Sequence, residues 1–427
     1  MWSDRTPPER LRELVAALQS AMPVPVIEGA KAEGFVVLGK RTFRSPMATV
    51  SYCSGHVTVT GPGGKVTIKA KGFEILEAML AAWRGISGAT LAGFLSYDLA
   101  SEIEDLGAKP PQTFQFPQLW FGLFGSAAEQ PSGADVAPPQ PESPIVSRPD
   151  RAAFETSVAR IVSSIYAGDI FQTNLCRSIE TPLDPAASWD LFQRMRSINP
   201  ARYEAFIRLD AERSVFSISP ERFLKTDGGI VESSPIKGTR PRGRTQEEDR
   251  ALIEDLLASE KDRAELAMIV DVVRNDLSRV CKAGSVQVIA HAELMTLPTV
   301  HHSFSTVRGT LRHDMGIADL LRAAFPAASI SGAPKIEAMR IAAREENQPR
   351  GPCMGAIGWI AMGDEETPAR MEFSVAIRTA FVADSVVRYY AGCGITAGSD
   401  PVAEFEESRH KAAAFVRALG RENDPGW

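Results

Sequence analysis

Strand-type and helix-type runs alternate along this chain without a fixed repeat, and that alternation limits its fold more than any other feature. Before residue 129 lie the strand-like "GFVVLGK" and "KVTIKAKG" and the helical "EILEAMLAAWRG". They are followed by "ATLAGFLSYDLASEIEDL", a strand leading into a helix. After residue 149, "RAAFETSVARIVSSIYAGD" has helical apolar spacing, and "SVFSISPERFLK" and "GIVESS" read as strands around a turn. One long helix is expected over roughly residues 247–280, followed by the strand "GSVQVIA" and the helices "GIADLLRAAF" and "PKIEAMRIAARE". Three strands, "GAIGWIAM", "FSVAIRTAFVA" and "VVRYYAGCGIT", precede a final helix, "VAEFEESRHKAAAFVRAL". That order predicts an α/β or α+β sandwich rather than a barrel or a bundle. Residues 129–149, "EQPSGADVAPPQPESPIVSRP", are rich in proline and small polar residues and predict a solvated linker between residues 1–128 and 150–420.

Composition narrows the partners. With 44% hydrophobic and 23% charged residues the chain is globular, and a net charge of −6 speaks against nucleic acid or an anionic membrane as partner. Five widely spaced cysteines without a CxxC pair indicate neither a disulfide framework nor a structural zinc site, so a reducing cytoplasm is expected. The opening "MWSDRTPPERLRELVAAL" reads as an amphipathic helix without the apolar core of a signal peptide, and no run reaches membrane-spanning length.

Two helices carry acids beside their apolar stripes. In "EKDRAELAMIVDVVRNDL", Asp262, Glu265, Ile269, Val272 and Asp276 fall on one side. In "EFEESRHK", Glu404, Glu407 and Lys411 share a face that Phe415 continues inward. Two such helices could present oxygens to a hard cation such as Mg2+. Spacing alone leaves open ion pairs instead: Glu265 with Arg263 or another arginine, and Glu404 and Glu407 with His410 and Lys411. Around these acids lie anion-binding groups: Lys237, Arg240 and Arg242 in "SSPIKGTRPRG", Arg378 in "VAIRTA", His302 in "HHSFS" and the glycine turn "GCGI". "SISGAPK" lacks the spacing of a phosphate loop, and no metalloprotease, nucleophile-elbow or dinucleotide fingerprint is present.

In this order the segments "AGDIFQTNL", "SPERF", "PIKGTRPRG", "KDRAELAMIVDVVRNDLSRV", "VHHSFSTVRGTL", "SISGAPKIEAMR", "RGPCMGAIGW", "AIRT", "AGCGIT" and "EFEESRHKA" resemble the chorismate-utilising enzymes. That family includes anthranilate, aminodeoxychorismate, isochorismate and salicylate synthases. The resemblance covers nearly all of residues 150–419 and, through "GFLSYDLA", reaches more weakly to the rest. It implies two packed β-sheets with helices on the outer faces, residues 1–128 joining the same sandwich. It also implies a Mg2+ ion held by Glu265 and Glu407 and supported by Asp262 and Glu404. Arg378 and the backbone at Gly394 would hold the enolpyruvyl carboxylate of chorismate. Lys411, His302 and Ser329 would lie near the ring carboxylate or its metal, with Thr239, Gln172 and Trp359 also lining the substrate, and Glu221 would be the general acid.

"PIKGT" resembles the aminodeoxychorismate synthase form, in which Lys237 would attack ring C2 before ammonia displaces it at C4; anthranilate synthase-type relatives usually carry alanine there. Arg240 and Arg242 would help to lower its pKa. Gln172 stands where isochorismate- and salicylate-forming relatives carry a lysine base, Trp359 where a tyrosine is common, and "SF" after His302 where aliphatic residues are usual. No match to the tryptophan-feedback motif is evident, so no inhibition by tryptophan is expected. The sequence holds no glutaminase signature and no lyase segment, so ammonia would come from a separate glutamine amidotransferase subunit or from solution, and a separate aminodeoxychorismate lyase would act next.

Overall fold

The computed structural model describes residues 6–22, 33–86, 88–107, 110–111, 113–125, 127–129, 144–363, 368–424 and 427. Two antiparallel sheets, ten- and twelve-stranded, dominate it. The larger begins at the edge with Ile236–Pro241, Val300–Thr310, Ile230–Ser234, Arg222–Asp227 and Arg370–Val375. It continues through Ala356–Ala361, Thr90–Leu95, Leu119–Phe124 and the meander Ala48–Cys53, His56–Gly61, Gly64–Lys69, with Gln287–Thr296 paired to Val300–Thr310. The smaller has Gln172–Pro182 and Val386–Ile395 near one edge, then Thr379–Ala383, Ser214–Ser219, Tyr203–Arg208, Phe35–Leu38 and Arg41–Arg44.

Residues before 129 therefore supply strands to both sheets. Apolar side chains from both, such as Val36, Phe43 and Phe381 with Val50, Phe94 and Phe373, share one buried core. Alternation explains this: Ala48–Cys53 buries every second residue. On the outer side of the smaller sheet, Phe192 and Met195 of helix Ser188–Ile198 and Phe415 of helix Pro401–Ala418 pack over Phe206, Phe216 and Tyr389. The helices Arg151–Tyr166 and Lys335–Glu346 cover Leu175, Cys393 and Ile395.

Four expectations change. The single helix over 247–280 is two, Gln246–Ala258 and Glu260–Ser278, because Ser259 takes an extended conformation and caps the second with its hydroxyl on Asp262 N. "FSVAIRTAFVA" is broken at residues 376–378, where the chain crosses from one sheet to the other. The linker is also shorter at its ends: Glu129 lies in strand Ala128–Glu129, and Val146–Arg148 pairs with Gln172–Pro182. The proline-rich interior, 130–143, lies outside the described residues. "SYDLAS" forms a 3-10 turn, Tyr97–Glu102, rather than an α-helix.

Candidate active site

Two sheet crossings build the floor of the site. Ser214–Ser219 leaves the smaller sheet and enters Arg222–Asp227 of the larger through Pro220 and Glu221, while Arg370–Val375 returns through Arg378 to Thr379–Ala383. The crossings are bonded side by side, Val375 N to Glu221 O at 3.1 Å and Ile218 N to Arg378 O at 3.1 Å. Arg378, expected within a strand, is thus at the crossing itself with φ 51°. A non-glycine residue holds such a conformation only where its surroundings enforce it. Its Nη1 is buried without a partner.

Lys237 enters from the edge strand Ile236–Pro241. That strand pairs with Val300–Thr310 in irregular register between Lys237 and Thr239, with Gly238 at φ 76°. A Cβ on Gly238 would lie 2.8 Å from Leu256 and 3.1 Å from Asp262, so "KG" is fixed by geometry. The Lys237 ammonium reaches Gly394: a Cβ there would stand 3.3 Å from Nζ and would also collide with Gln172 Nε2. Gln172 is 1% exposed, and its Oε1 has no partner.

Charge around Lys237 is dense. Burial lowers its pKa and Lys411 lowers it further, against the opposing pull of Glu265, Glu221 and Glu407. The expected help from Arg240 and Arg242 is absent: Arg240 pairs with Asp255 at 2.5 Å and Asp262 at 3.2 Å, and Arg242 with Asp249 at 2.9 Å. Those ion pairs spend the charge locally. Glu221 is 4% exposed, and burial raises its carboxyl to about 7, although the Ser329 hydroxyl and Lys237 favour its ionised form. A carboxyl poised there can donate a proton near neutrality.

The acids converge from the two helices. Glu404 is buried, accepts from Ser399 Oγ at 2.6 Å and leaves Oε2 unpaired. Oxygens of Glu404 and Glu407 and the sulfur of Cys393 lie within 4.8 Å of one another. Burial raises Glu404 and Glu265. Burial would also raise Glu407, but Lys411 prevails and lowers it. Glu265 stands outside the tight group, 4.0 Å from Lys261 rather than paired with Arg263. An unsatisfied buried carboxylate oxygen beside a second carboxylate fits a hard cation; the Cys393 thiol is engaged with Glu404 O at 3.2 Å.

His302 Nδ1 meets Thr239 Oγ1 at 2.9 Å, and burial together with Arg378 lowers the imidazole to about 4, leaving a neutral ring whose buried Nε2 has no partner. Asp262, expected beside the metal ligands, is the partner of Arg240. Trp359 stands apart: it lines a cavity of about 250 Å³ with Arg41, Arg202 and Tyr203, its ring 4.9 Å from the Arg41 guanidinium. Lys335 of "SISGAPK" is structural, bonded to Asp276 at 2.6 Å and to the carbonyls of Ala324 and Pro326 at 2.9 Å.

Sequence reasoning missed Lys261, Cys393 and Asp249. The first two stood in motifs already singled out. Asp249 anchors "RPRG" through Arg242, Gly243 N and His301, and nothing local marked it.

A sequence profile described as chorismate binding enzyme matches residues 40–417. Anthranilate synthase component 1 of Streptomyces coelicolor is 43% identical over 270 residues, 63% of this chain and 52% of that protein. An aminodeoxychorismate synthase of Streptomyces griseus is 40% identical over 298 residues, 70% of this chain and 40% of that protein. The chain thus spans about half the length of these curated relatives. The crystal structure of anthranilate synthase component I from Streptococcus pneumoniae superposes with a TM-score of 0.76 at 25% identity, covering 97% of this chain and 98% of that one.

Proposed function

The chain belongs to the chorismate-binding enzyme family, and on that premise we propose that it is an aminodeoxychorismate synthase component, aminating chorismate with ammonia to 4-amino-4-deoxychorismate for 4-aminobenzoate and folate synthesis. The observation that carries this reading is Lys237, an amine of lowered pKa held against Gly394 and Gln172 among the proposed acid and cation ligands. An alanine there would leave the same cavity without a nucleophile.

In the proposed reaction the unprotonated Lys237 amine adds to ring C2 as Glu221 gives its proton to the departing C4 hydroxyl. Ammonia then adds at C4, and the lysine leaves with its electron pair. The enolpyruvyl group is retained. Arg378 Nη1 and the Gly394 backbone suit the enolpyruvyl carboxylate, and neutral His302 can donate or accept toward the substrate without adding charge. Glu265 and Glu407, supported by Glu404, would hold Mg2+, which when bound neutralises and orients the ring carboxylate. A separate glutamine amidotransferase subunit would supply ammonia, and a separate lyase would take the product. Five free cysteines fit a reducing cytoplasm, and no described helix is long and apolar enough to cross a membrane.

The second reading, anthranilate synthase component 1, is favoured by the 43% identity to the Streptomyces coelicolor protein. Lys237→Ala tests the covalent step: amination should fall at least about a hundredfold while calorimetric Mg2+ binding is retained. Unchanged turnover would mean that ammonia attacks without a lysine adduct.

A further inference from the structure

Each proposed cation ligand has a lysine of its own helix four residues away. The two pairs are unequal. Lys261 Nζ stands 4.0 Å from Glu265 with its side chain 65% exposed, a separation at which a surface pair contributes little. Lys411 Nζ lies 2.7 Å from Glu407 Oε1 and also donates to Gly392 O at 2.9 Å, two residues before Gly394, which faces Lys237 Nζ. Glu407 therefore already holds one cation, supplied by the chain itself.

A divalent ion and an ammonium cannot both sit against Glu407 Oε1. Mg2+ needs oxygen contacts of about 2.1 Å in near-octahedral order, and like charges a few ångströms apart repel strongly where water is partly excluded. We propose that Lys411 competes with the divalent cation for Glu407 and is drawn off it by a substrate carboxylate, so that cation and substrate each bind more tightly in the presence of the other. This rests on the reading of Glu407 as a cation ligand given above.

The exchange requires no opening of the core, because the Lys411 and Glu407 side chains are 46% and 51% exposed. A four-carbon stem lets the ammonium move from one carboxylate to another while its bond to Gly392 O persists. Once Lys411 has moved, Glu407 joins the unpaired Glu404 Oε2 as a free oxygen donor. Linkage makes the effect reciprocal: whatever factor the substrate adds to cation affinity, the cation adds to substrate affinity.

Calorimetric titration of Mg2+ into the full chain, with and without chorismate in ammonia-free buffer, tests this without reference to the product. For the wild type, Kd should tighten about tenfold when chorismate is present, within the usual range of such couplings. Lys411→Met should bind Mg2+ about tenfold more tightly than wild type without chorismate, and chorismate should then add less than about twofold. Lys411→Gln, which keeps a donor for Gly392 O, should shift in the same direction, and melting curves would show that both variants are folded. Lys261→Met should retain the wild-type coupling. Unchanged or weaker Mg2+ binding in the folded Lys411 variants, or coupling that survives in them, would overturn the proposal alone. A wild-type chain that binds no Mg2+ in either condition would overturn the cation-site reading and the proposal together.

Discussion

At the scale of single residues, the site is a set of groups held away from their ordinary ionisation by burial. Glu221 shows the consequence for stability. Its carboxyl is raised from 4.5 to about 7 in the folded chain, so between those values the folded state keeps a proton that the unfolded state has released. The stabilisation is full below about pH 4.5 and is lost as pH rises through about 7. Glu221→Gln, which cannot ionise, should therefore match the wild type near pH 4.5 and exceed it at pH 8 by up to about 3 kcal/mol in urea unfolding. An equal difference at both pH values would contradict the assignment. Some candidates were legible from residue type and position, namely an arginine in an apolar run, a lysine between Ile236 and Gly238 and acids beside an apolar helical stripe, whereas Glu221, Ser329, Thr239, Gln172 and Trp359 came only through the family resemblance. Their counter-charges were not legible. Arg240 and Arg242 looked like neighbours that would depress Lys237, yet Asp255, Asp262 and Asp249 neutralise them, and partners distant in sequence leave no periodic signal.

At the scale of elements, the site depends on irregularities. Gly238 allows the break in register that points Lys237 inward. Gly238→Ala would meet both the positive φ and the Leu256 contact. The expected cost is about 1–3 kcal/mol of stability and more than tenfold of amination, read by melting temperature and steady-state rate; wild-type values for both would show that the bulge tolerates a side chain. The buried pair Arg350–Glu346 does for the smaller sheet what the bulge does for the larger. Arg350 bonds Glu346 at 2.7 and 2.9 Å and the carbonyls of Asn174 and Ile330, while Glu346 accepts from Cys176 N at 2.7 Å. The pair thus ties helix Lys335–Glu346 to the strand that carries Gln172. Arg350→Met should destabilise the chain by about 3–5 kcal/mol, since it strands a buried carboxylate; a loss below about 1 kcal/mol would refute that role. Strands and helices were readable from their apolar periods. The split at Ser259 and the crossing at residues 376–378 were not, because neither one extended residue nor a short turn with Arg378 at φ 51° interrupts the apolar period.

At the scale of the molecule, the proline-rich stretch marks a change of composition and not a boundary between sheets, since strands on both sides of it enter both sheets. The two crossings then place Glu221 and Arg378 at the junction of the sheets, while Glu265 and Glu407, on two different helices, come close enough to Lys237 to act on its charge, which brings the proposed acid, cation ligands and amine together. Family membership rests on residues 40–417, and the proposed choice among the family's chemistries rests on Lys237. The most direct test is the product formed by the purified chain from chorismate, Mg2+ and an ammonium salt at mildly alkaline pH. The account predicts 4-amino-4-deoxychorismate with no release of pyruvate; anthranilate with one equivalent of pyruvate would contradict it.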